Sequence, residues 1–92
     1  MKKFVFGLVF SVLVSSGFAL TSDQVFAYLV DRGQNPYYLH SVGLFELYMG
    51  DDGVRVVAWR VPGVAQPTAE DFLPEADAAA RVLRYKLERA RK

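Results

Sequence analysis

The 92-residue chain contains no cysteine, so neither a disulfide framework nor a lipid anchor on an N-terminal cysteine can form. Excess charge is also missing, because 11 basic residues face 10 acidic residues. Near-neutral charge removes the bulk electrostatic attraction on which nucleic-acid binding depends. We therefore expect no nucleic-acid partner, and the sequence indicates no cofactor and no small-molecule substrate.

Long apolar runs are absent except at the N-terminus. There, positions 4–14 are apolar, follow two lysines and precede a small and polar stretch at positions 15–19. This three-part layout is typical of a secretory signal. The small side chain of Ala19 predicts cleavage between Ala19 and Leu20, so that residues 1–19 form a signal peptide and the protein is exported, either periplasmic or secreted.

A membrane anchor formed by residues 4–20 is the alternative interpretation of the same segment. No charged residue occurs from Phe4 to Ser22, a span of 19 residues. That length is barely enough to cross a hydrocarbon core of about 30 Å, and the polar residues Ser15 and Ser16 interrupt it. In both interpretations the two N-terminal lysines stay inside and the rest of the chain is translocated.

Residues 20–92 are long enough for a single small domain. Without residues 1–19, the chain holds 9 basic and 10 acidic residues, and six of the basic ones lie in residues 81–92 with Glu88 as the one acidic residue there. A domain of this size has a core that contributes only a few kcal/mol of net stability. We therefore expect a protein partner or self-association.

Two segments predict the first half of the domain. Thr21 and Gln24 have the spacing of a capping box, and with Gly33 as a left-handed stop they predict a helix over residues 22–32. Residues 44–49 and 54–61 are rich in β-branched and aromatic side chains and flank a glycine and aspartate loop. This pattern predicts a β-hairpin.

A second helix is predicted after Pro74, which fits the first turn of a helix but not its interior. Apolar residues recur there with spacings of four and three, on one face: Phe72, Ala76, Ala79, Ala80, Leu83, Leu87 and Ala90. Arg81, Arg84 and Glu88 lie on the opposite side.

The predicted fold class is therefore α+β, with an N-terminal helix, a β-hairpin and a C-terminal amphipathic helix after the signal segment. We expect both helices to pack on one face of the hairpin. The predicted core consists of Phe26, Leu29, Phe45, Leu47, Val56, Leu83 and Leu87.

Candidates for catalytic or metal chemistry are sparse. His40 is the only histidine, and Ser41 is the only serine near it, so we interpret His40 as a turn or strand-edge residue. Asp51 and Asp52 supply two adjacent carboxylates, whereas a calcium site needs six or more oxygen ligands, so we interpret them as a hairpin turn. Paired carboxylates drawn from these two with Glu46, Glu70 and Asp71 have no fixed separation. We expect no enzyme activity and no metal site.

Aromatic and basic residues supply the other candidate surfaces. Trp59, Tyr37, Tyr38 and Tyr48 fit either a binding surface or the core, and in so small a domain we expect the core. The basic end of the chain fits contact with anionic lipid, although a solvated helix terminus explains it as well.

The Ala and Leu stripe of the second helix could instead seat a partner helix, and for that role we select Leu83, Leu87, Arg84 and Arg91.

The region from Asp51 to Phe72 also carries a short motif. Asp51-Asp52-Gly53 precedes a strand that ends in Trp59, and Gln66-Pro67-Thr68 is followed by acidic and apolar residues. The motif resembles the XkdW-like small proteins of phage and defective-prophage tail gene clusters. The resemblance implies a structural or accessory role in assembly and no catalysis. The sequence thus predicts an exported, non-enzymatic interaction module, with a tail-associated protein and a membrane-surface protein as alternatives.

Overall fold

The computed structural model of the protein describes residues 20–91, so the predicted signal segment up to Ala19 lies outside the described residues. The described elements follow the order α1 (Ser22–Val30), α2 (Pro36–Ser41), β1 (Phe45–Gly50), β2 (Gly53–Trp59), a 3-10 turn (Ala69–Asp71) and α3 (Glu75–Ala90). The predicted α+β class, with an N-terminal helix, a hairpin and a C-terminal helix, is confirmed.

Helix α1 begins at the predicted capping box. The Thr21 N–H donates to Gln24 Oε1 at 2.7 Å, and the Gln24 N–H donates to Thr21 Oγ1 at 3.3 Å. The helix ends at Val30, two residues before the predicted end, and the chain turns through Gly33 with a φ of 77°. A positive φ is strained for residues with a side chain, which explains the glycine at this position.

Helix α2 was not predicted. Asn35 caps it, because its Oδ1 accepts the N–H groups of Tyr37 and Tyr38 at 3.1 and 3.2 Å. Pro36 occupies the first helical position, where a missing N–H costs no hydrogen bond. The Asn-Pro pair, a pattern that is also typical of turns, is therefore the start of a short helix.

The hairpin lies where the sequence predicts it, with boundaries shifted by one or two residues. Strands β1 and β2 pair antiparallel from Phe45 opposite Trp59 to Gly50 opposite Gly53, and Asp51 and Asp52 form the loop. The register shifts between Glu46 and Leu47, which indicates a bulge in the ladder.

The core lies between α1, α2 and the hairpin. Its buried members are Val25, Tyr28, Leu29, Leu39, Phe45 and Val61. The Phe45 ring lies 5.4 Å from the Trp59 ring and 5.9 Å from the Phe26 ring, distances that favour aromatic packing. The predicted core positions Phe26, Leu29, Phe45, Leu47 and Val56 are confirmed, two as fully buried residues and three as partly buried neighbours.

The segment from residue 60 to residue 74 is tied to this core through its backbone carbonyls. Trp59 Nε1 donates to the Val64 carbonyl at 2.8 Å, and the Tyr28 hydroxyl donates to the Ala65 carbonyl at 2.7 Å. Gln24 Nε2 donates to the Leu73 carbonyl at 2.7 Å. These bonds fix the path of the chain into α3.

Helix α3 packs against α1 rather than across the hairpin. Ala78 and Val82 are buried against Ala27 of α1, so small side chains let the two helices approach closely. The expectation that Leu83 and Leu87 belong to the core is wrong, because these side chains are 55% and 57% exposed. The helix is rotated so that its smaller apolar residues, not its leucines, face the domain.

Candidate interaction surface

One face of α3 carries an exposed row of apolar residues. The row, which we call the α3 stripe, consists of Ala76, Ala80, Leu83, Leu87 and Ala90. All five are exposed, and their spacing of four, three, four and three residues follows one side of the helix. At 3.6 residues per turn, the stripe lies about 140° around the helix from the buried pair Ala78 and Val82. The stripe therefore points away from the rest of the domain.

An ion pair and an aromatic stack connect α3 to the rest of the domain. Arg81 forms an ion pair with Asp31 at the end of α1, so a side chain predicted to face solvent joins the two helices. One turn further along, the Tyr85 ring stacks on the Tyr37 ring with centroids 6.3 Å apart and an interplanar angle of 14°. These contacts lie on the Val82 side of the helix. The α3 stripe lies on another side of the helix, and its five residues stay exposed in the described part of the chain.

Charged side chains border the α3 stripe with an uneven distribution. Asp77 lies beside its N-terminal half, whereas Arg84, Lys86 and Arg91 lie beside its C-terminal half, and all four are exposed. An acidic start and a basic end complement the helix macrodipole. The surface thus combines an apolar strip with one negative end and one positive end.

The structure brings the four predicted partner-binding residues together. Leu83, Leu87, Arg84 and Arg91 are all exposed and fall within an arc of about 100° on α3 and its C-cap. The expectation that Arg84 lies opposite the leucines is therefore wrong, because it borders them. Both leucines are more than half exposed, so they keep apolar area in contact with water. Covering that area with another apolar surface lowers the free energy.

The aromatic candidates divide between core and surface. Trp59 is partly buried and packs against the core, as predicted. The expectation that the tyrosines belong to the core is wrong for Tyr37, Tyr38 and Tyr48, which are 38%, 59% and 49% exposed. Tyr48 is covered on one side by the Arg55 guanidinium, 4.7 Å from its ring centroid. The hairpin therefore also exposes large apolar side chains, namely Tyr48, Met49 and Val57.

Tyr37 borders a shallow depression next to α3. Its other lining residues are Lys86 and Arg89, and its volume is about 260 Å³. Burial raises the pKa of the Tyr37 hydroxyl, and the charge of Asp23 and the neighbouring Tyr85 add to the effect. The phenol therefore stays protonated to a higher pH than that of a free tyrosine.

The residues considered for catalysis do not converge in the described part of the chain. His40 lies in α2 rather than in a turn or at a strand edge, and its ring packs 5.3 Å from Phe45 and 6.1 Å from Phe26. The Ser41 hydroxyl donates to the Tyr38 carbonyl at 2.8 Å, which orients it toward the backbone. Within residues 20–91, no three His, Asp or Glu side chains are close enough to hold a metal ion.

The carboxylates proposed in pairs have structural roles. Two of them, Glu70 and Asp71, meet at the Thr68 hydroxyl, whose Oγ1 lies 2.8 Å from Glu70 Oε1 and 3.1 Å from Asp71 Oδ2. Glu46 pairs with Arg60 across the hairpin at 3.1 Å, and Asp51 and Asp52 lie exposed in its loop. Asp71 accepts the Thr68 N–H at 2.8 Å at the start of the 3-10 turn. That hydrogen bond from the backbone is the main cause of a lowered pKa for the Asp71 carboxyl. Helix α3 begins after Pro74, where the sequence predicts it.

Comparison with known proteins adds no family to this description. No protein family, no characterised protein and no solved structure matches the chain. Among the described helices, none is long and apolar enough to cross a membrane.

Proposed function

We propose that the protein is an exported, non-enzymatic interaction module that binds another protein through the α3 stripe. The observation that carries this proposal is the exposure of Leu83 and Leu87 in a regular apolar row on the outer face of α3. Helix-in-groove and helix-on-helix recognition both use apolar residues at spacings of three and four. The signal-like layout of residues 1–19 supports export.

A site-specific photo-crosslinker placed at Leu87 tests the docking role. The variant is expressed as the full chain in cells and irradiated, and the products are separated by mass. A covalent protein adduct of defined mass supports docking at the α3 stripe. Val57 on the hairpin is the matched control, because its apolar side chain is 58% exposed, close to the 57% of Leu87. Equal crosslinking at both positions, or none at Leu87, contradicts the proposal.

Compartment and processing are tested in the same cells. We expect the protein to be recovered outside the cytoplasm with an intact mass that begins at Leu20. Recovery in the cytoplasm with the mass of the complete chain would refute export. Recovery in the membrane fraction with that mass would favour the anchor formed by residues 4–20.

A membrane-surface role is the second candidate function. It is supported by the exposed basic residues at the end of α3, among them Arg84, Lys86, Arg89 and Arg91. Juxtaposed basic side chains bind anionic lipid headgroups through charge, and salt weakens this binding. Cosedimentation with phosphatidylserine vesicles that falls between 50 and 300 mM salt supports this candidate. Equal binding to neutral phosphatidylcholine vesicles contradicts it.

The resemblance of residues 51–72 to XkdW-like tail-region proteins remains a prediction of an assembly role. Tail components are built in the cytoplasm, so the fractionation experiment separates this role from export. The crosslinking experiment applies to both, since an assembly protein also needs a docking surface.

A further inference from the structure

We infer that the α3 stripe pairs with the α3 stripe of a second copy of this chain, in an antiparallel orientation and in one register. This inference rests on the proposed docking role of the stripe and names its partner. In the inferred pair, Ala80 lies opposite the partner's Leu83, and Ala76 lies opposite the partner's Leu87.

The spacing of the stripe is that of a two-helix seam. Residues spaced alternately by three and four repeat every seven positions, as the a and d positions of a coiled coil do. Ala80 and Leu87 then occupy a positions, and Ala76, Leu83 and Ala90 occupy d positions. The stripe covers the whole length of α3.

Side-chain size favours an antiparallel pair. The N-terminal half of the stripe carries alanines and its centre and C-terminal half carry the two leucines. When the helices run in opposite directions, each alanine at Ala76 or Ala80 receives a leucine from the other copy. Large residues facing small ones fill the seam without voids and let the helix axes approach closely.

Charge favours the same arrangement. Residues at e positions face each other across an antiparallel seam, and here these are Asp77, Arg84 and Arg91, of which Asp77 and Arg84 lie on either side of the seam's centre. In the inferred register Asp77 lies opposite the partner's Arg84, and symmetry gives this opposite-charge pair twice. The antiparallel orientation also sets the acidic start of each helix beside the basic end of the other, which complements both macrodipoles.

The other arrangements of the same two stripes place like charges together. Sliding the antiparallel pair by one heptad, so that Leu83 faces the partner's Leu87, brings Arg84 against the partner's Arg84. The slid pair keeps an opposite-charge contact between Asp77 and the partner's Arg91, but it sets leucine against leucine and alanine against alanine, so side-chain sizes no longer match across the seam. A parallel pair faces e positions with g positions, and so brings Lys86 against the partner's Arg91. Like charges at such positions disfavour an arrangement and thereby select the remaining one.

The rest of the domain leaves room for the second helix. The α3 stripe lies about 140° around the helix from the buried pair Ala78 and Val82, so the inferred interface uses a face of α3 that α1 does not cover. The interface is small, because one helix of 16 residues comes from each copy. Interfaces at the low end of the size range are weak, and we expect a dissociation constant on the order of micromolar or higher.

Charge exchange tests the register. The full chain is expressed, the product is recovered from its compartment, and association is measured by sedimentation velocity from 1 µM to 1 mM. Asp77→Arg or Arg84→Asp alone replaces both opposite-charge pairs by like-charge pairs, so each variant should dimerise at least about 5-fold more weakly. Mixing the two variants restores both opposite-charge pairs, and the mixture should form a dimer with near wild-type affinity. A mixture that dimerises no better than its components overturns the inferred register.

The absence of cysteine allows a direct test of orientation. An Ala80→Cys variant mixed with a Leu83→Cys variant should form a mixed disulfide faster than either forms a disulfide with itself. A Leu83→Cys variant that crosslinks mainly to itself would indicate a parallel pair and overturn the inference. Circular dichroism of each variant checks that the fold is retained.

The Leu87 photo-crosslinking product separates the two proposals. An adduct with twice the mass of the recovered chain supports self-pairing. An adduct of another mass, with a wild-type protein that is monomeric up to 1 mM, overturns self-pairing while the docking role of the α3 stripe stands. No adduct of any mass removes the docking role as well.

Discussion

Leu29→Ala and Leu87→Ala remove the same atoms from the chain, yet the structure predicts very different losses of stability. The Leu29 side chain is fully buried in the core, whereas the Leu87 side chain is 57% exposed. The sequence pattern alone placed both residues in the core. The pair of substitutions therefore tests the observed orientation of α3 with the chemistry held constant.

The expected magnitudes differ several-fold. Truncation of a buried leucine lowers the free energy of unfolding by about 2–5 kcal/mol, through lost transfer energy and the cavity that remains. An exposed substitution on a helix changes it by less than about 1 kcal/mol, since alanine is the better helix former. A domain of this size has a total stability of only about 4–10 kcal/mol. Leu29→Ala should therefore remove a large part of the free energy of unfolding.

Urea denaturation followed by the fluorescence of Trp59, the single tryptophan, measures both effects. With a denaturant dependence of about 1 kcal/mol per molar urea, Leu29→Ala should lower the midpoint by about 2 M or more, or leave the chain unfolded in water. Leu87→Ala should lower it by less than about 1 M. The measurement is made near 1 µM, where a weak dimer dissociates. Equal losses from the two substitutions would refute the outward orientation of the α3 stripe.

Three further measurements test individual contacts. Tyr28→Phe deletes the hydroxyl that donates to the Ala65 carbonyl and should lower the free energy of unfolding by about 1 kcal/mol; no change would show that water replaces this bond. Gly63 has a φ of 74° with open space around its Cα, so Gly63→Ala should cost about 1–2 kcal/mol from backbone strain, whereas Gly63→Asn should cost less. The lowered pKa of the Asp71 carboxyl means that its bond to the Thr68 N–H stabilises the fold above the unfolded pKa of about 4 and loses this effect as the pH falls through the lower folded pKa. The Thr68 amide NMR signal should accordingly titrate with a midpoint below about 4, and a midpoint above that value would contradict the assignment.

Local signals predicted most of the fold. The capping box at Thr21 and Gln24 and the loop at Asp51 and Asp52 depend on neighbouring residues, so the sequence contains all the information that they need. Helix α2 depends on a local signal too, since Asn35 caps it and Pro36 opens it. We missed it because an Asn-Pro pair is also typical of turns.

The orientation of α3 could not be predicted in the same way. Hydrophobic periodicity favours the face with the leucines, but the contact with α1 uses Ala78 and Val82. Two distant features decide this choice: the small Ala27 on the facing helix and the ion pair between Arg81 and Asp31. Both depend on how the helices meet in space. The sequence therefore predicted which residues form the candidate surface. That these residues are exposed follows only from the fold.

Leu20 sets an order of events for an exported form of the protein. Its carbonyl accepts the Val54 N–H at 2.8 Å, and its side chain packs against the core, so the residue directly after the predicted cleavage bond belongs to the folded hairpin. A peptidase needs an extended and accessible chain at the bond that it cuts. If the chain is exported and cut after Ala19, as we propose, removal of residues 1–19 would come before Leu20 docks, and the new N-terminus would complete the fold by its hydrogen bond to Val54 of β2.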